Sequence, residues 1–265
     1  MALFNGCDSI GDECVFNMEL SVVIPAYNEE KRLGRTFDVI IEFLQRTKRE
    51  WEIVVHDDGS TDGTASLVHR YADKHPAVRL NPGGANHGKG YAVKHGMLAA
   101  RGQWRLLTDA DLSTPMEEFN KLWPWTQQGF EVVIGSRKIK GAQVEVRQPF
   151  LRQKMGLVYS YASKWFLATP VMDFTCGFKL FRGDVAQAVF SRSLIERWGY
   201  DSEVLFLAHR LGFKIKEVPV VWRNDTATKV RLGTDMLSSA TELLQIRRNA
   251  LAGKYQLNSP MSPKR

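Results

Sequence analysis

Between residues 20 and 136 the chain switches repeatedly between two hydrophobic periods, and no other feature limits its fold as strongly. LSVVIP (Leu20 to Pro25) is a continuous apolar run, consistent with a buried strand. From Glu29 to about Arg46, Leu33, Phe37, Ile40, Ile41 and Leu44 recur on one helical face. WEIVVHDDG reads as a second strand ending in carboxylates. Ser60-Thr61-Asp62 then opens a helix to about Lys74, with Ser60 and Asp62 able to cap it and leave Asp57 and Asp58 available. Val78 to Leu80 reads as a brief third strand, Tyr91 to Ala100 as a helix, WRLLTDADLS as a fourth strand and EVVIGSR as a fifth. Strand alternating with helix is the signature of a doubly wound, mostly parallel α/β sheet. Ligands of such sheets sit beyond the carboxyl ends of the strands. Here those ends carry Pro25 to Glu29, Asp57-Asp58 and Asp109 to Asp111.

After Arg137 the alternation loosens. KIKGAQVEVRQP is a polar, basic connection, and about Phe150 to Leu167 reads as an amphipathic helix carrying Leu151, Met155, Val158, Tyr159, Trp165 and Phe166. Ser202 to Leu211 reads as helix and IKEVPVVW as strand. Asp235 to Leu251 reads as a helix with Met236, Ala240, Leu243, Leu244 and Leu251 on one face. The expected organisation is an extension over 1–18, one domain over 19–252 and a flexible tail over 253–265. Within the domain, 19–136 forms a nucleotide-binding half and 137–252 an acceptor half.

A net charge of +7 favours anionic partners: nucleotides, nucleic acid or acidic lipid headgroups. No RNA-reading signature such as an RRM or KH motif is present, which argues against nucleic acid. The three cysteines, Cys7, Cys14 and Cys176, are odd in number and lack a C-x-x-C pair, so neither a disulfide framework nor a zinc site is expected, and a reducing compartment is. The start has no signal-peptide pattern, and no apolar run approaches the ~20 residues of a spanning helix. The chain reads as soluble, or as lying on a membrane without crossing it.

Three clusters carry chemistry. Asp109-Ala110-Asp111, if extended, points two carboxylates to one side. Mg²⁺ and Mn²⁺ prefer such oxygen ligands, together with substrate phosphates. For a bare D-x-D, so short a motif, a loop acid pair capping the next helix near Pro115 is the better reading, and its place at a strand end after WRLLT favours the metal. Asp57 and Asp58 could accept hydrogen bonds from a base or ribose. NPGGANHGKG contains G-x-x-x-x-G-K over Gly83 to Lys89, the start of a phosphate-cradling P-loop, but Gly90 stands where that motif needs a Ser or Thr for Mg²⁺. Its glycines, the helix N-terminus and Lys89 would still suit an anion.

VVIPAYNEE, VVHDDGSTDGT, NHGKGYAVKHGMLAARG and LLTDADLS, in this order and spacing, resemble the family 2, GT-A-type glycosyltransferases. GSR, DFTCGFKLFR, GYDSEVLFLAHRLGFKIKEVPVVW and the TK pair after it narrow the likeness to the polyprenyl-phosphate hexose transferases. The branch that glucosylates dolichyl phosphate is the nearer, and the mannosyl branch its cousin. The resemblance covers roughly residues 20–250. It assigns the glycine loop to the family's N-x-G-K-G segment rather than to a P-loop.

The resemblance implies a set of roles. Pro25, Ala26, Tyr27 and Glu29 would line the base and ribose site, with Asp57, Asp58, Lys89 and Ala110 in the same nucleotide-sugar site. Asp109 and Asp111 would hold Mg²⁺ or Mn²⁺ on the diphosphate, with Ser113 near the same shell. Arg137 and Arg152 would face the acceptor phosphate. Asp201 and Glu203 would border the sugar, and Lys229 would approach the diphosphate from a mobile loop. The implied reaction moves a hexose, glucose from UDP-glucose first and mannose from GDP-mannose as the alternative, onto a polyprenyl or dolichyl phosphate with inversion. The rivals are a processive polysaccharide synthase and a non-catalytic nucleotide- or nucleic-acid-binding protein. The first typically carries Q-x-x-R-W and membrane helices, whereas Gln245 to Asn249 reads QIRRN. A lipid acceptor implies a peripheral position at the cytoplasmic face of a membrane. Arg137, Lys138 and Lys140 would then meet anionic lipid, and the 150–167 helix would add Arg152, Lys154, Tyr159, Trp165 and Phe166. A homo-oligomer or a recruiting membrane protein completes the range of partners.

Overall fold

The computed structural model describes residues 18–146, 150–223 and 234–257, with the side chains at 150–153 and 234–240 excluded. Most of the expected 1–18 extension and the tail beyond 257 lie outside these residues.

The alternating segment folds as β1 (Leu20–Ala26), α1 (Glu30–Arg46), β2 (Trp51–Asp57), α2 (Thr64–Lys74), β3 (Val78–Pro82), α3 (Lys89–Ala99) and β4 (Trp104–Leu107). A 3-10 turn at Met116–Glu118 leads into α4 (Phe119–Thr126), followed by β5 (Val132–Ser136) and β6 (Gln143–Val146). Then come α5 (Phe150–Leu167), β7 (Lys179–Arg182), α6 (Gly183–Arg192), α7 (Tyr200–Arg210), β8 (Ile215–Pro219), β9 (Val221–Arg223) and α8 (Thr234–Leu251). Seven strands form one sheet in the order β3-β2-β1-β4-β7-β5-β8. β7 is antiparallel to both of its neighbours, and the other pairings are parallel. The expected α/β fold is therefore present, with one reversed strand inserted between β4 and β5. Segments 19–136 and 137–252 share this sheet.

Burial on both faces explains the near-continuous apolar strands. Val22, Ile24, Ile53 and Val55 pack with Leu33, Phe37, Ile40 and Leu44 of α1. Val23 and Val54 turn the other way, onto Val93 and Met97 of α3. Each such large aliphatic or aromatic side chain contributes about 1.5–3 kcal/mol on burial.

Two glycines of NPGGANHGKG, Gly88 and Gly90, serve packing. A Cβ on Gly88 would lie 2.8 Å from the Glu196 carbonyl oxygen, and one on Gly90 2.5 Å from the Ile195 carbonyl oxygen. The start of α3 thus lies directly against the backbone before α7, and only glycine admits that approach. Its amides are occupied as well. His87 and Gly88 donate to the Asp58 carboxylate at 3.1 and 2.8 Å, and Tyr91 donates to the Glu196 carbonyl at 3.0 Å. A P-loop leaves such amides free for phosphate.

Several later expectations need correction. The sequence pattern does not reveal β7 and α6, because β7 is only four residues, KLFR, and opens on a lysine. Lys179 is fully buried. IKEVPVVW breaks at Val220: β8 joins the main sheet and β9 pairs with β6. On α8, Leu243 and Ile246 face inward while Leu244 and Leu251 are 54% and 89% exposed, so the expected single apolar face does not form. Residues 253–257 do not form a loose tail. Tyr255 is buried and donates to Glu203 at 2.7 Å.

Under the glycine loop, four rings stack in sequence. His87 and Tyr91 have centroids 4.2 Å apart, Tyr91 and His95 3.8 Å, and His95 and His56 5.6 Å. Burial, helped by the charges of His95 and His87, pushes the His56 imidazole from 6.5 down to about 4. The unfolded chain therefore binds a proton in this range more readily than the folded one.

Two outcomes follow for stability. The contribution from neutral His56 is complete above pH 6.5 and declines as pH falls through about 4, so Tm should drop across that window. His56→Phe should flatten the decline, and ring-proton NMR should show His56 still neutral at pH 6. Separately, Gly90→Ala should destabilise by about 1–3 kcal/mol in urea unfolding through overpacking. Gly156→Ala on α5, where a Cβ meets nothing within 4 Å, should stabilise by roughly 0.5–1 kcal/mol.

Candidate active site

β1 lies between β2 and β4, so the connections leave it toward opposite sides of the sheet and open a crevice at the strands' carboxyl ends. The loop after β1 and the loop after β2 are stitched together there. Asn28, left-handed at φ 54°, accepts the Thr61 amide on its side chain at 2.9 Å, and its own amide donates to the Ser60 hydroxyl at 2.9 Å. The Glu29 amide donates to Thr64 Oγ1 at 2.8 Å, and the Glu29 carboxylate pairs with Arg32 at 2.5 Å. Pro25 is half-buried and Ala26 buried at the end of β1, and Tyr27 after them is 38% exposed.

Asp57 and Asp58 are not left available, contrary to the sequence reading. Both are buried. The Ser60 amide donates to Asp57 at 3.1 Å, with the Ser60 hydroxyl on the same oxygen, so Ser60 does not cap α2. Asp58 accepts the His87 and Gly88 amides. Burial raises its pKa, and those two bonds partly offset the rise.

Asp109 and Asp111 are also placed differently. β4 ends at Leu107, and both acids occupy a turn beyond it, so strand alternation does not align them. Leu112, left-handed at φ 49°, closes the turn. That conformation costs a branched residue roughly 1–2 kcal/mol. Thr36 of α1 holds the turn by donating to the Ala110 carbonyl at 2.5 Å. Asp111 accepts the Ser113 amide at 2.9 Å and the Ser113 hydroxyl. Burial, then the Asp109 charge, raises its pKa.

Lys89, the first residue of α3, sets its ammonium 2.8 Å from Asp109 Oδ1 and 5.6 Å from the Trp198 ring centre. Burial alone would lower its pKa. Asp109, Asp201 and Asp111 together more than offset that and raise it. On the other side of Asp109, a Cβ on Gly177 would fall 2.0 Å from Oδ2, so that carboxylate fits only over a glycine. Asp201, buried at the start of α7, pairs with the fully buried Lys179, which also donates to the Cys176 carbonyl at 2.6 Å. Burial raises the Asp201 pKa and Lys179 opposes the rise.

Arg137 does not reach outward. Its amide and Nε both donate to Asp173 Oδ2 at 2.8 Å, and Nη2 donates to Asp173 Oδ1 and Thr175 Oγ1 at 2.8 Å each. Its guanidinium holds the Asp173 carboxyl far below the usual range, against burial that would raise it. Lys138 is likewise turned inward, onto the Ser160 hydroxyl and the Gly156 carbonyl of α5. Glu203 does not border the site. It accepts the Leu194 and Ile195 amides and the Tyr255 hydroxyl, which fixes the segment that packs on Gly88 and Gly90. Arg152 and Lys229 lie outside the described side chains.

Sequence reasoning passed over Trp198, Gly177, Lys179 and Asp173. DFTCGFKLFR was noticed only as a likeness; a lysine flanked by Phe178 and Leu180 was the available signal for a buried partner. Among the described residues no group of three His, Cys, Asp or Glu side chains forms a metal cluster. The centre instead offers two hard carboxylates at a position that already attracts a cation, the Lys89 ammonium. Mg²⁺ and Mn²⁺ fit such a donor set when substrate oxygens complete the shell.

Residues 21–197 match the family model described as glycosyl transferase family 2. A dolichyl-phosphate beta-glucosyltransferase of Dictyostelium discoideum is 34% identical over 92% of this chain and 78% of its own length. The Homo sapiens protein of the same name is 33% identical over 90% of this chain and 78% of its own. Among solved structures, a glucosyl-3-phosphoglycerate synthase of Mycobacterium tuberculosis, in complex with Mn²⁺, UDP-glucose and phosphoglyceric acid, superposes with a TM-score of 0.60 at 21% identity, covering 86% of this chain and 79% of that one. A mannosyltransferase of Pyrobaculum calidifontis, in complex with GDP-Man and Mn²⁺, gives 0.59 at 22% identity, covering 88% and 64%. At these identities the structural likeness shows the fold.

The contact between Gly177 and Asp109 yields a specific expectation. Gly177→Ala should push the Asp109 carboxylate off its seat while leaving the sheet intact. Mn²⁺ binding followed by electron paramagnetic resonance should weaken by about ten- to a hundredfold, the usual cost of disturbing a residue that orients a metal ligand. Thermal stability should change little by comparison.

Proposed function

The chain belongs to glycosyltransferase family 2, and on that premise we propose that it transfers glucose from UDP-glucose to dolichyl phosphate or a related polyprenyl phosphate, inverting the anomeric carbon. The convergence of Lys89, Asp109, Asp111 and Asp201 at the carboxyl ends of the strands carries this reading. The shared name of the curated relatives supports the choice of donor and acceptor.

In this reading a lipid-phosphate oxygen attacks the anomeric carbon as the bond to the diphosphate oxygen breaks, and that electron pair leaves with UDP. The attacking oxygen is already anionic, so no side chain has to remove a proton. Asp109 and Asp111, with Ser113 orienting Asp111, would hold Mg²⁺ or Mn²⁺. The ion would stabilise charge growing on the leaving diphosphate. Lys89 would add a positive charge to the same diphosphate, and Lys229 another. Pro25, Ala26, Tyr27 and the stitched loops would seat the base and ribose. Asp57 and Asp58 would act mainly by holding those loops in shape. Asp201, oriented by Lys179, would meet the sugar. Arg137 and Lys138 face one carboxylate between them, so the Asp173 cluster keeps a surplus positive charge that suits the acceptor phosphate.

A polyprenyl tail brings the enzyme to a membrane surface. No described helix is long and apolar enough to cross a bilayer. Arg137 and Lys138 point inward, so they do not form the docking patch the sequence suggested. α5 instead exposes Val158, Tyr161 and Trp165, and α8 exposes Leu244 and Leu251 beside Arg247 and Arg248. Those residues repeat at helical spacing and suit an interfacial position at the cytoplasmic face.

Three measurements test this. With a short polyprenyl phosphate, UDP-glucose should give a β-linked product by mass and anomeric configuration. Preference for GDP-mannose would move the protein to the mannosyl branch, and no transfer from either donor would sink the reading. Asp109→Ala and Asp111→Ala should each cut transfer by about two orders of magnitude or more with the fold retained, as should a chelator. Trp165→Ser combined with Tyr161→Ser should release the protein from anionic liposomes. Unchanged co-sedimentation would shift recruitment to a partner protein.

A further inference from the structure

Asp109 Oδ2 lies against Gly177, where a Cβ would fall 2.0 Å away, and Oδ1 carries the Lys89 ammonium at 2.8 Å, with the Asp109 side chain 30% exposed. A divalent ion that takes the Oδ1 position must displace Lys89. The backbone of Lys89 cannot withdraw to make room. Asp58 holds the two preceding amides, the Glu196 carbonyl holds the Tyr91 amide, and the flanking Gly88 and Gly90 are packed against residues 195–196. Only the side chain can move, and it has somewhere to go. The Trp198 face lies 5.6 Å from Nζ, and the Lys89 side chain is 25% exposed toward the crevice.

Charge balance points the same way. The carboxylates acting on Lys89 are Asp109, Asp201 and Asp111. The cations facing them are Lys89 and Lys179, with Arg137 also acting on Asp201. A divalent ion entering alone would add two positive charges and take Asp109 from Lys89. A nucleoside diphosphate entering alone would add two or more negative charges beside these three carboxylates. Entering together, the two nearly cancel, and the diphosphate takes the ammonium that the metal displaces.

We propose that Lys89 is an exchangeable counter-ion: it occupies the cation position on Asp109 in the empty protein and passes to the donor's diphosphate when a divalent ion takes its place, so that metal and nucleotide bind cooperatively. The inference rests on the nucleotide-sugar reading above but not on which base the donor carries. Coupling of this kind is reciprocal: each ligand tightens the other by the same factor.

The test is Mn²⁺ affinity, read by electron paramagnetic resonance of the free ion and corrected for Mn²⁺ held by nucleotide in solution. Wild-type protein and Lys89→Met are compared alone, with UDP and with GDP. Wild type should bind Mn²⁺ weakly alone and about tenfold or more tightly with the fitting nucleotide. Lys89→Met should bind Mn²⁺ alone about tenfold more tightly than wild type and lose most of the nucleotide's effect. Lys89→Gln serves the same purpose if the Met variant melts early, and Lys89→Arg should behave like wild type. If GDP rather than UDP tightens Mn²⁺, the donor assignment fails and the counter-ion survives. The counter-ion proposal is overturned if the neutral variants bind Mn²⁺ alone no better than wild type. It is equally overturned if they keep the full nucleotide effect, or if neither nucleotide tightens Mn²⁺ on wild type.

Discussion

Two hydrogen bonds from the His87 and Gly88 amides to the buried Asp58 carboxylate fix where α3 begins, and much of the site depends on that point. They place Lys89 opposite Asp109 and bring Gly88 and Gly90 against the segment before α7. That segment is itself held by Glu203 through the Leu194 and Ile195 amides. A buried carboxylate is stable only when donors surround it. Asp58 and Glu203 meet this condition with backbone amides from distant loops, and the crevice forms between those anchors.

Charge is arranged on the same principle throughout the site. Lys179 is buried against Asp201 and Arg137 against Asp173, while Lys89 and Asp109 pair with their side chains 25% and 30% exposed. Each pair joins residues of two different elements or loops. Removing one partner would leave an uncompensated charge in a poorly solvated place, a far greater cost than losing a surface ion pair. The reversed strand β7 makes two of these arrangements possible. It carries Lys179 to Asp201, and the turn before it brings Gly177 under Asp109. The inserted strand therefore links the acids after β4 to the acid on α7.

The apolar surface is arranged separately. α5 turns Ser160, Ser163 and Leu167 inward and leaves Val158, Tyr161 and Trp165 outside. Tyr159 and Phe166, expected at the lipid surface, pack inward against the core instead, and the exposed apolar side chains left on α5 suit a surface other than water. Lys138 ties that helix to the end of β5, close to the Asp173 cluster. The proposed lipid-facing surface and the proposed acceptor site are thus joined by one side chain.

The sequence by itself determined the alternating strands and helices, the carboxyl ends at which acids gather, and the family likeness, because hydrophobic period and motif order are local properties of the chain. Tertiary structure alone decided what the polar groups do. Nothing in VVHDDGST shows that Asp58 will meet amides thirty residues away, and FKLF does not reveal that Lys179 will meet Asp201 twenty-two residues on. Strand periodicity suggested that Asp109 and Asp111 share a face. The structure places them instead on a turn beyond β4, held by Thr36 and Ser113. Arg137 and Lys138 looked like surface charge because basic residues usually are, until a buried Asp173 drew them inward. Apolar burial follows a pattern that can be read in one dimension. The partner of a buried charge is chosen by which loops meet in three.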